Sequence, residues 1–324
     1  MRFGAIAIGR NEGERLRRCL SSITAAAAEV LVYVDSASTD GSVEWARHHG
    51  ADVVALDMSL PFTAARARNS GFKRLREIAP DLPYIQFVDA DCELTTGWPN
   101  SAVCFLESHP EVGAVFGRLR ERYPERSIYN WMCDQEWGGP IGEARASGGI
   151  VMFRANALDS VGGFRDDLIA GEEPELCIRL RAAGWRIWRL EAEMALHDAA
   201  ITRFSQWWRR ALRGGYAYAQ GAYLHGAPPE RHWVWESRRA WLWGVWLPLA
   251  CMVIGIAFGP LGWAVWLLYP LEVLRKTLRN TGSAVDRATL ALFHVLARFP
   301  EGLGQIKFMC DRLLGRQARL IEYK

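Results

Sequence analysis

The feature that most constrains this chain is an alternation of apolar runs and helix-like stretches near its beginning. The apolar runs occupy residues 3–8, 30–34, 53–56 and 84–88. The stretches between them, at 14–23, 42–49 and 65–78, carry apolar residues three and four positions apart, which is the spacing of an amphipathic helix. Strands that alternate with helices predict a parallel α/β sheet with helices on its faces.

Acidic residues follow three of these runs directly, at the point where each strand is predicted to end. Asp35 follows the second run, Asp57 the third, and Asp89-Ala90-Asp91 the fourth. Because ligands of such sheets bind at the carboxyl ends of the strands, we expect these carboxylates to line one cleft. Paired carboxylates beside a diphosphate suit Mg²⁺ or Mn²⁺. The D-x-D pattern alone also fits a solvated loop, and its place after a buried strand is what favours a metal site.

Two common phosphate-binding motifs are absent from the sequence. No G-x-G-x-x-G follows the first apolar run and no G-x-x-x-x-G-K-[ST] occurs, which excludes a dinucleotide fingerprint and a Walker loop. Five other segments occur in order: Gly9-Arg10-Asn11-Glu12, Asp35-Ser36-Ala37-Ser38-Thr39-Asp40-Gly41, Ala67-Arg68-Asn69-Ser70-Gly71, Asp89-Ala90-Asp91 and Gly171-Glu172-Glu173-Pro174-Glu175-Leu176. Together they resemble the inverting family 2 glycosyltransferases, and the resemblance covers residues 1–210 approximately.

The resemblance implies a GT-A fold, a Rossmann-like nucleotide-diphospho-sugar transferase domain, with a UDP-sugar as donor and Mn²⁺ or Mg²⁺ as metal. It assigns the donor site to Arg10, Asn11, Glu12, Asp35, Arg68, Asp89, Gly149 and Arg209. It assigns the metal to Asp91, with Asp89 and His197 as further ligands. In this interpretation Asp35 accepts the imide N–H of uracil, because an ionised carboxylate only accepts hydrogen bonds. The alternatives are a surface position for Arg68 and a structural role for His197.

Direct displacement at the anomeric carbon needs a base that accepts the proton of the acceptor hydroxyl. In the similar enzymes this base is the aspartate of a Glu-Asp pair, and the matching residue here is Glu173. Glutamate in place of aspartate extends the carboxylate by one methylene and leaves Glu172 as a competitor. A single base with no enzyme nucleophile predicts inversion. The alternative is that these glutamates only stabilise the positive end of a helix.

Two further segments fit the resemblance less closely. Ser147-Gly148-Gly149 resembles a small-residue segment beneath the acceptor site, although a tight strand entry explains it equally well. Residues 206–210 resemble the Gln-x-x-Arg-Trp motif of processive polysaccharide synthases, but Arg210 stands where tryptophan is expected. We therefore predict one sugar transfer per event. Arg209 is then expected to bind a phosphate of the donor or of a lipid diphosphate, or to belong to a basic interfacial surface.

The second half of the chain contains an apolar stretch that no charged residue interrupts. It runs over 32 positions, from Ala240 to Leu271, whereas about 20 apolar residues suffice for a membrane-spanning helix. Gly259-Pro260 divides the stretch, and basic residues flank both of its ends. The positive-inside rule therefore favours a hairpin or re-entrant loop with both ends on the cytoplasmic side. A buried helix pair and an interfacial helix pair are the alternatives.

Charge is distributed unevenly along the chain. Residues 1–199 carry 22 Lys and Arg against 29 Asp and Glu, whereas residues 275–324 carry 10 against 4. Basic amphipathic helices are predicted at 284–318, suited to an anionic membrane surface or to packing on the catalytic body. No nucleic-acid motif accompanies them, so no nucleic-acid partner is expected. We also expect no signal peptide, and the seven scattered cysteines favour a reducing compartment.

The sequence thus predicts a GT-A catalytic domain at 1–225 and a helical membrane-associated region at 226–324, with the apolar hairpin at 240–271. The predicted function is transfer of one sugar from a UDP-sugar to a polyprenyl-diphosphate-linked saccharide acceptor, at the cytoplasmic face of the inner (plasma) membrane, in surface-polysaccharide assembly. The alternatives are a non-catalytic nucleotide-sugar-binding membrane scaffold and a sugar nucleotidylyltransferase. The second of these is expected to carry a glycine-rich phosphate loop that this sequence lacks. No oligomeric state is predicted.

Overall fold

The computed structural model describes residues 2–322, which divide into two compact units. One unit ends at Thr202 and the other begins at Arg203. The first is an α/β unit and the second is helical. This division differs from the boundary after residue 225 that the sequence predicts, because the helix Phe204–His225 packs against the later helix Arg298–Leu313.

The first unit is built around a sheet of nine strands within the described residues. The strands are β1 (Gly4–Gly9), β2 (Val30–Asp35), β3 (Asp52–Ala55), β4 (Tyr84–Asp89), β5 (Cys92–Leu94), β6 (Val112–Glu121), β7 (Gly142–Ala144), β8 (Val151–Arg154) and β9 (Arg186–His197). They lie in the order β3-β2-β1-β4-β8-β6-β9-β5, and β7 pairs with β9 outside this order.

The first four strands are parallel neighbours, which confirms the α/β prediction. Beyond them the sheet is mixed, because β8 pairs antiparallel with both β4 and β6. The expectation of a parallel sheet therefore holds only for its first half. Periodicity along a strand reports which faces are buried and carries no information on which strand lies beside it. The antiparallel strand was thus outside what the sequence pattern indicates.

The helices of this unit are α1 (Glu14–Ala25), α2 (Ser42–His48), α3 (Ala64–Ile78), α4 (Trp98–Ser108), α5 (Ile128–Glu136), α6 (Ala155–Val161) and α7 (Glu172–Ala182). Two buried apolar clusters lie on opposite faces of the sheet. Successive residues of β1 alternate between them, with Ala5 and Ala7 in one cluster and Ile6 and Ile8 in the other. Burial of both faces explains why the strands appear in the sequence as continuous apolar runs.

The described part of the second unit contains α8 (Phe204–His225), α9 (Val234–Trp241), α10 (Leu247–Phe258), α11 (Pro260–Trp263), α12 (Leu268–Arg279), α13 (Ala284–Leu296) and α14 (Arg298–Leu313). A π-helical turn, Leu242–Trp246, joins α9 to α10, so that Val234–Phe258 is one continuous helix. Among residues 2–322 it is the one helix that is long and apolar enough to cross a membrane. Only 11% of its most apolar window is buried.

The apolar stretch folds back on itself at Gly259, where φ is 60°. Tyr269 Oη donates a hydrogen bond to the carbonyl oxygen of Trp243 at 2.7 Å, and Gly255 lies against the ring of Trp263. Residues near the start of the segment before Gly259 thus contact residues near the end of the segment after it. The two segments of the hairpin are therefore antiparallel. Side chains at the turn are exposed: Leu261, after Gly259, is 86% exposed.

Close contacts between helices of this unit depend on glycine. A Cβ at Gly215 on α8 would overlap the carbonyl oxygen of Glu301 on α14. A Cβ at Gly244 in the π-helical turn would likewise overlap the carbonyl oxygen of Arg298. Two separate backbone segments therefore approach α14 more closely than any residue with a side chain permits.

Candidate active site

A buried arginine on α3 pairs with three carboxylates from two other elements. Arg68 is 3% exposed, and its Nη2 donates to Asp89 Oδ1 at the end of β4 at 2.9 Å. Its Nη1 lies 2.7 Å from Glu172 Oε1 and 3.0 Å from Glu173 Oε1, at the start of α7. Burial opposes the charge, but the three carboxylates outweigh it and raise the pKa of Arg68. The alternative of a surface arginine is therefore wrong.

The register of β8 on β4 brings Gly149 to this cluster. Phe87 pairs with Val151, so two residues further along the antiparallel pair Gly149 faces Asp89. A Cβ at Gly149 would lie 2.6 Å from Arg68 Nη2, 3.0 Å from Asp89 Oδ2 and 3.1 Å from Glu173 Oε1. Glycine at this position leaves the room that the charged side chains occupy.

The two glutamates at the start of α7 sit in a buried, charged environment. Gly171 precedes them in the left-handed conformation, with φ of 82°, and begins the helix. Burial raises the pKa of Glu173 to about 7, the neighbouring charge of Glu172 adds to this effect, and Arg68 opposes it. A carboxyl group with a pKa near 7 exchanges a proton readily at neutral pH, as a general base must.

Asp91 and His197 form a second group next to the first, two residues beyond Asp89. Because β5 pairs with the end of β9, His197 Nε2 lies 3.1 Å from Asp91 Oδ2. His197 Nδ1 is buried and has no hydrogen-bond partner within residues 2–322. Ligand atoms of Asp91, Cys92 and His197 all lie within 4.8 Å of one another. A carboxylate suits Mg²⁺ or Mn²⁺ and an imidazole is a common metal ligand, so this pair fits a divalent metal ion.

The two turns predicted to hold the nucleotide base are tied together. The backbone N–H of Asn11 donates to Ser38 Oγ at 2.9 Å, and Asn11 Oδ1 accepts from the N–H of Thr39 at 2.7 Å. Asp35 is 4% exposed and accepts hydrogen bonds from Tyr33 Oη at 3.0 Å and from the N–H of Ser38 at 2.9 Å. These bonds fix the Asp35 carboxylate and leave each of its oxygens a further lone pair.

Three residues of the predicted donor site lie outside these groups. Arg10 is exposed in the first turn, and Glu12 Oε2 pairs with Arg15 Nη2 at 2.7 Å. Arg209 is exposed on α8, which belongs to the second unit. Contact of these three side chains with a donor stays a prediction.

The structure adds residues that the sequence did not single out. The ring of Trp137 packs on that of His197, with centroids 4.7 Å apart. The buried side chains of Glu121 and Asn130 accept hydrogen bonds from two backbone N–H groups in the segment after β9, at 3.1 and 3.0 Å. Burial raises the pKa of Glu121, and its backbone donors oppose that effect. These contacts join residues far apart in the sequence, so no local motif indicated them.

Two family models match the chain. The model of glycosyl transferase family 2 matches residues 6–152, and that of glycosyl transferase family group 2 matches residues 132–276. Together they cover both the charged cluster and the apolar stretch. The chain belongs to glycosyltransferase family 2. No curated protein sequence matches it significantly.

Several solved structures, among them that of a mannosyltransferase, share the fold. Mannosyltransferase PcManGT from Pyrobaculum calidifontis, in complex with GDP-Man and Mn²⁺, has a TM-score of 0.58 at 21% identity, covering 92% of this chain and 86% of that one. Residues 1–349 of S. aureus TarS give 0.53 at 16% identity, covering 98% and 92%. The same TarS segment in complex with UDP-GlcNAc gives 0.52 at 15% identity, covering 98% and 93%. The GT-A prediction for this family 2 chain is thereby confirmed at the level of fold.

Proposed function

We propose that this family 2 glycosyltransferase moves one sugar from a UDP-sugar to a polyprenyl-diphosphate-linked saccharide, with inversion and with a divalent metal. The observation that carries the proposal is the cluster at the end of β4. There Glu173 shares Arg68 with Asp89, directly beside the Asp91–His197 pair. The cluster combines a base, a fixed cation and metal-compatible ligands, which are the groups that sugar transfer from a diphosphate requires.

The proposed reaction is a direct displacement. The acceptor oxygen forms a bond to the anomeric carbon while the bond from that carbon to the diphosphate breaks. Glu173 takes the proton of the acceptor hydroxyl, and UDP leaves with the electron pair. Attack from the side opposite the leaving group inverts the anomeric centre. We assign the base to Glu173 because burial and Glu172 raise its pKa to about 7.

The donor is held by three groups in this proposal. Asp35 and Asn11 bind the nucleoside, since their turns are already locked together by hydrogen bonds. Asp91 and His197 would hold Mn²⁺ or Mg²⁺, with Asp89 nearer the sugar. The ion would supply positive charge opposite the diphosphate. GDP-Man, UDP-GlcNAc and Mn²⁺ in the similar structures support a nucleotide-sugar donor and a divalent ion.

The acceptor part of the proposal rests on the second unit. An exposed apolar hairpin with basic flanks suits attachment to a membrane, and a lipid-linked saccharide is an acceptor found there. We place the protein at the cytoplasmic face of the plasma membrane, in assembly of a surface polysaccharide.

Calorimetry with UDP-, GDP- and dTDP-sugars, with and without Mn²⁺, tests the donor half. A UDP-sugar is expected to bind the full chain only with metal, to bind Asp91→Ala more weakly, and to bind Glu173→Gln normally. Glu173→Gln is expected to lower the transfer rate about 10²- to 10⁴-fold, because it removes the base. Asp167→Asn, which changes a carboxylate with 59% of its side chain exposed, is the control and is expected to retain full activity.

Three outcomes contradict this function. No binding of any nucleotide sugar would remove the donor assignment. Binding without turnover over a broad panel of lipid-linked acceptors would support the scaffold alternative. Release of diphosphate from a nucleoside triphosphate would support a nucleotidylyltransferase. The anomeric configuration of the product, read by NMR, tests inversion separately.

A further inference from the structure

A cavity of about 230 Å³ lies at the base of the apolar hairpin, within the second unit. Its walls come from α9, the π-helical turn, α12, α13 and the first residue of α14. Four of the side chains that line it are cationic: Arg239, Arg275, Lys276 and Arg298. Glu272 is the one carboxylate among its described lining residues. Cations thus predominate in a partly enclosed space.

Four cations and two carboxylates pair around the cavity, which keeps a positive balance. Arg298 Nη1 donates to Glu301 Oε2, outside the lining, at 2.6 Å. Glu272 is engaged by Arg275, whose Nε and Nη2 each donate to it at 2.6 Å. Lys276 Nζ lies 4.0 Å from the same carboxylate. Burial lowers the pKa of Lys276, Glu272 opposes this, and Arg298 and Arg239 lower it further. The cations are therefore close enough to repel one another, and a bound anion would relieve that repulsion.

Aromatic and apolar side chains complete the walls. Trp235 is 60% exposed and lies beneath the guanidinium of Arg239, 5.2 Å from its ring centroid. Trp243 and Leu242 line the same space. Tryptophan beside arginine is typical of the boundary between hydrocarbon and lipid headgroups. The cavity thus offers cations to a phosphate and apolar walls to the glycerol and acyl carbons attached to it.

The length of the helix places the cavity at such a boundary. From Arg239 to Phe258 the helix rises about 30 Å, which matches the hydrocarbon thickness of a bilayer. Residues towards the hairpin turn are exposed and apolar, with Ile256 74% and Phe258 70% exposed. When the turn is embedded in the apolar layer, the cavity lies at the depth of the headgroups.

We propose that this cavity binds the phosphate headgroup of one anionic membrane phospholipid and so anchors the second unit at a fixed depth. The proposal rests on the membrane attachment in the proposed function and not on the transfer reaction. A phosphodiester carries a single negative charge and several acceptor oxygens, which match the cationic side chains of Arg239 and Lys276.

Native mass spectrometry of the full chain in detergent, with added phosphatidylglycerol or phosphatidylcholine, tests the proposal. The wild type is expected to retain one phosphatidylglycerol and to retain phosphatidylcholine far less. Arg239→Gln with Lys276→Gln is expected to lower this retention about tenfold or more, because two cations leave the cavity. Arg312→Gln with Arg316→Gln removes the same charge outside the cavity lining and is the matched control.

Equal loss of phosphatidylglycerol in both double variants would overturn the proposal, since it would show attraction to diffuse charge. Equal retention of both lipids by the wild type would overturn it as well. If circular dichroism shows that the cavity double variant does not fold, two other measurements decide. They are lipid retention by Arg239→Lys and competition between inorganic phosphate and the lipid for the wild type. The lysine variant keeps the charge and is expected to retain the lipid, and inorganic phosphate is expected not to displace it.

Displacement by inorganic phosphate at matched concentration, or loss of the lipid in the lysine variant, would contradict a lipid site. The measurement needs no donor, metal or acceptor. If sugar binding fails and lipid retention is intact, the proposed reaction is wrong and the lipid site remains supported. If lipid retention fails and sugar binding is intact, the lipid site is wrong and the proposed reaction remains supported.

Discussion

At the scale of single residues, the site is organised by an imbalance of charge. One guanidinium, that of Arg68, faces the carboxylates of Asp89, Glu172 and Glu173 in a largely buried space. Three negative groups around one positive group favour a proton on one of them. Burial and the charge of Glu172 raise the pKa of Glu173 to about 7, so this carboxyl, to which we assign the proton transfer, gains and loses a proton near neutral pH.

The pH dependence of transfer follows from this arrangement. Only deprotonated Glu173 accepts a proton, and its pKa is raised to about 7, so kcat/KM is expected to rise with pH through about 7. An ordinary glutamate would place this limb near pH 4.3. The measurement is the pH profile of initial rates at low donor concentration. The residual activity of Glu173→Gln is expected to lack this limb, and a limb unchanged in that variant would assign the base to another group.

Gly149 and its neighbour Gly148 allow the close packing around residue 149 to be tested. Gly149→Ala is expected to lower kcat about 10²-fold, because its Cβ would displace the side chains of Arg68 and Glu173 by a fraction of an ångström to an ångström. Gly148→Ala is the control, since no atom lies within 4 Å of the Cβ it would add. Initial rates and thermal melting of both variants are compared. Similar activity in the two would show that the crowding at 149 has no catalytic consequence.

The order of motifs along the chain predicts that several of these residues lie together. The motifs around Arg68, Asp89 and Glu173 share a family order, and their meeting in space is what the fold then shows. The packing of Trp137 on His197 has no such signature, because it depends on where the loop after α5 ends relative to β9. A contact that arises from tertiary packing cannot be predicted from the sequence of either segment alone.

At the scale of secondary structure elements, the contact of α8 with α14 requires glycine on the face of α8 that packs against α14. Gly214→Ala is expected to stabilise the second unit by up to about 1 kcal/mol, because alanine favours the helix and its Cβ meets no atom within 4 Å. Gly215→Ala is expected to destabilise it by about 1 to 3 kcal/mol, because its Cβ would overlap the backbone of Glu301. Thermal melting of both variants in detergent measures the difference, and shifts of the same sign would contradict the packing.

Elements with strong local patterns were predicted closely. The apolar run at 84–88 became β4 and the helical stretch at 65–78 became α3, with one-residue differences at their ends. The antiparallel insertion of β8 beside β4 was not predicted, because strand pairing is a long-range choice. The assignment of α8 to the first domain was also not reproduced, since its packing face meets a helix near the end of the described chain.

At the scale of the whole molecule, the exposed apolar hairpin predicts attachment to membranes. Ile256→Asp with Leu261→Asp is expected to lower binding to phosphatidylcholine vesicles at least about tenfold, because charge in the apolar layer is costly. Leu60→Asp, at a residue of the first unit that is 54% exposed, is the control. Vesicle flotation measures binding. Unchanged flotation of the hairpin variant would show that another surface binds the vesicles, and donor binding is expected to be equal in all three proteins.

The contacts of α14 also set an order of events during synthesis. Both backbone segments that require glycine, on α8 and in the π-helical turn, close against α14, which follows them in the chain. The apolar hairpin therefore leaves the ribosome before the helix that packs against its base. If the hairpin attaches to a membrane as proposed, we expect lipid to contact its exposed apolar side chains before α14 packs against its base, which shortens the time in which they can aggregate.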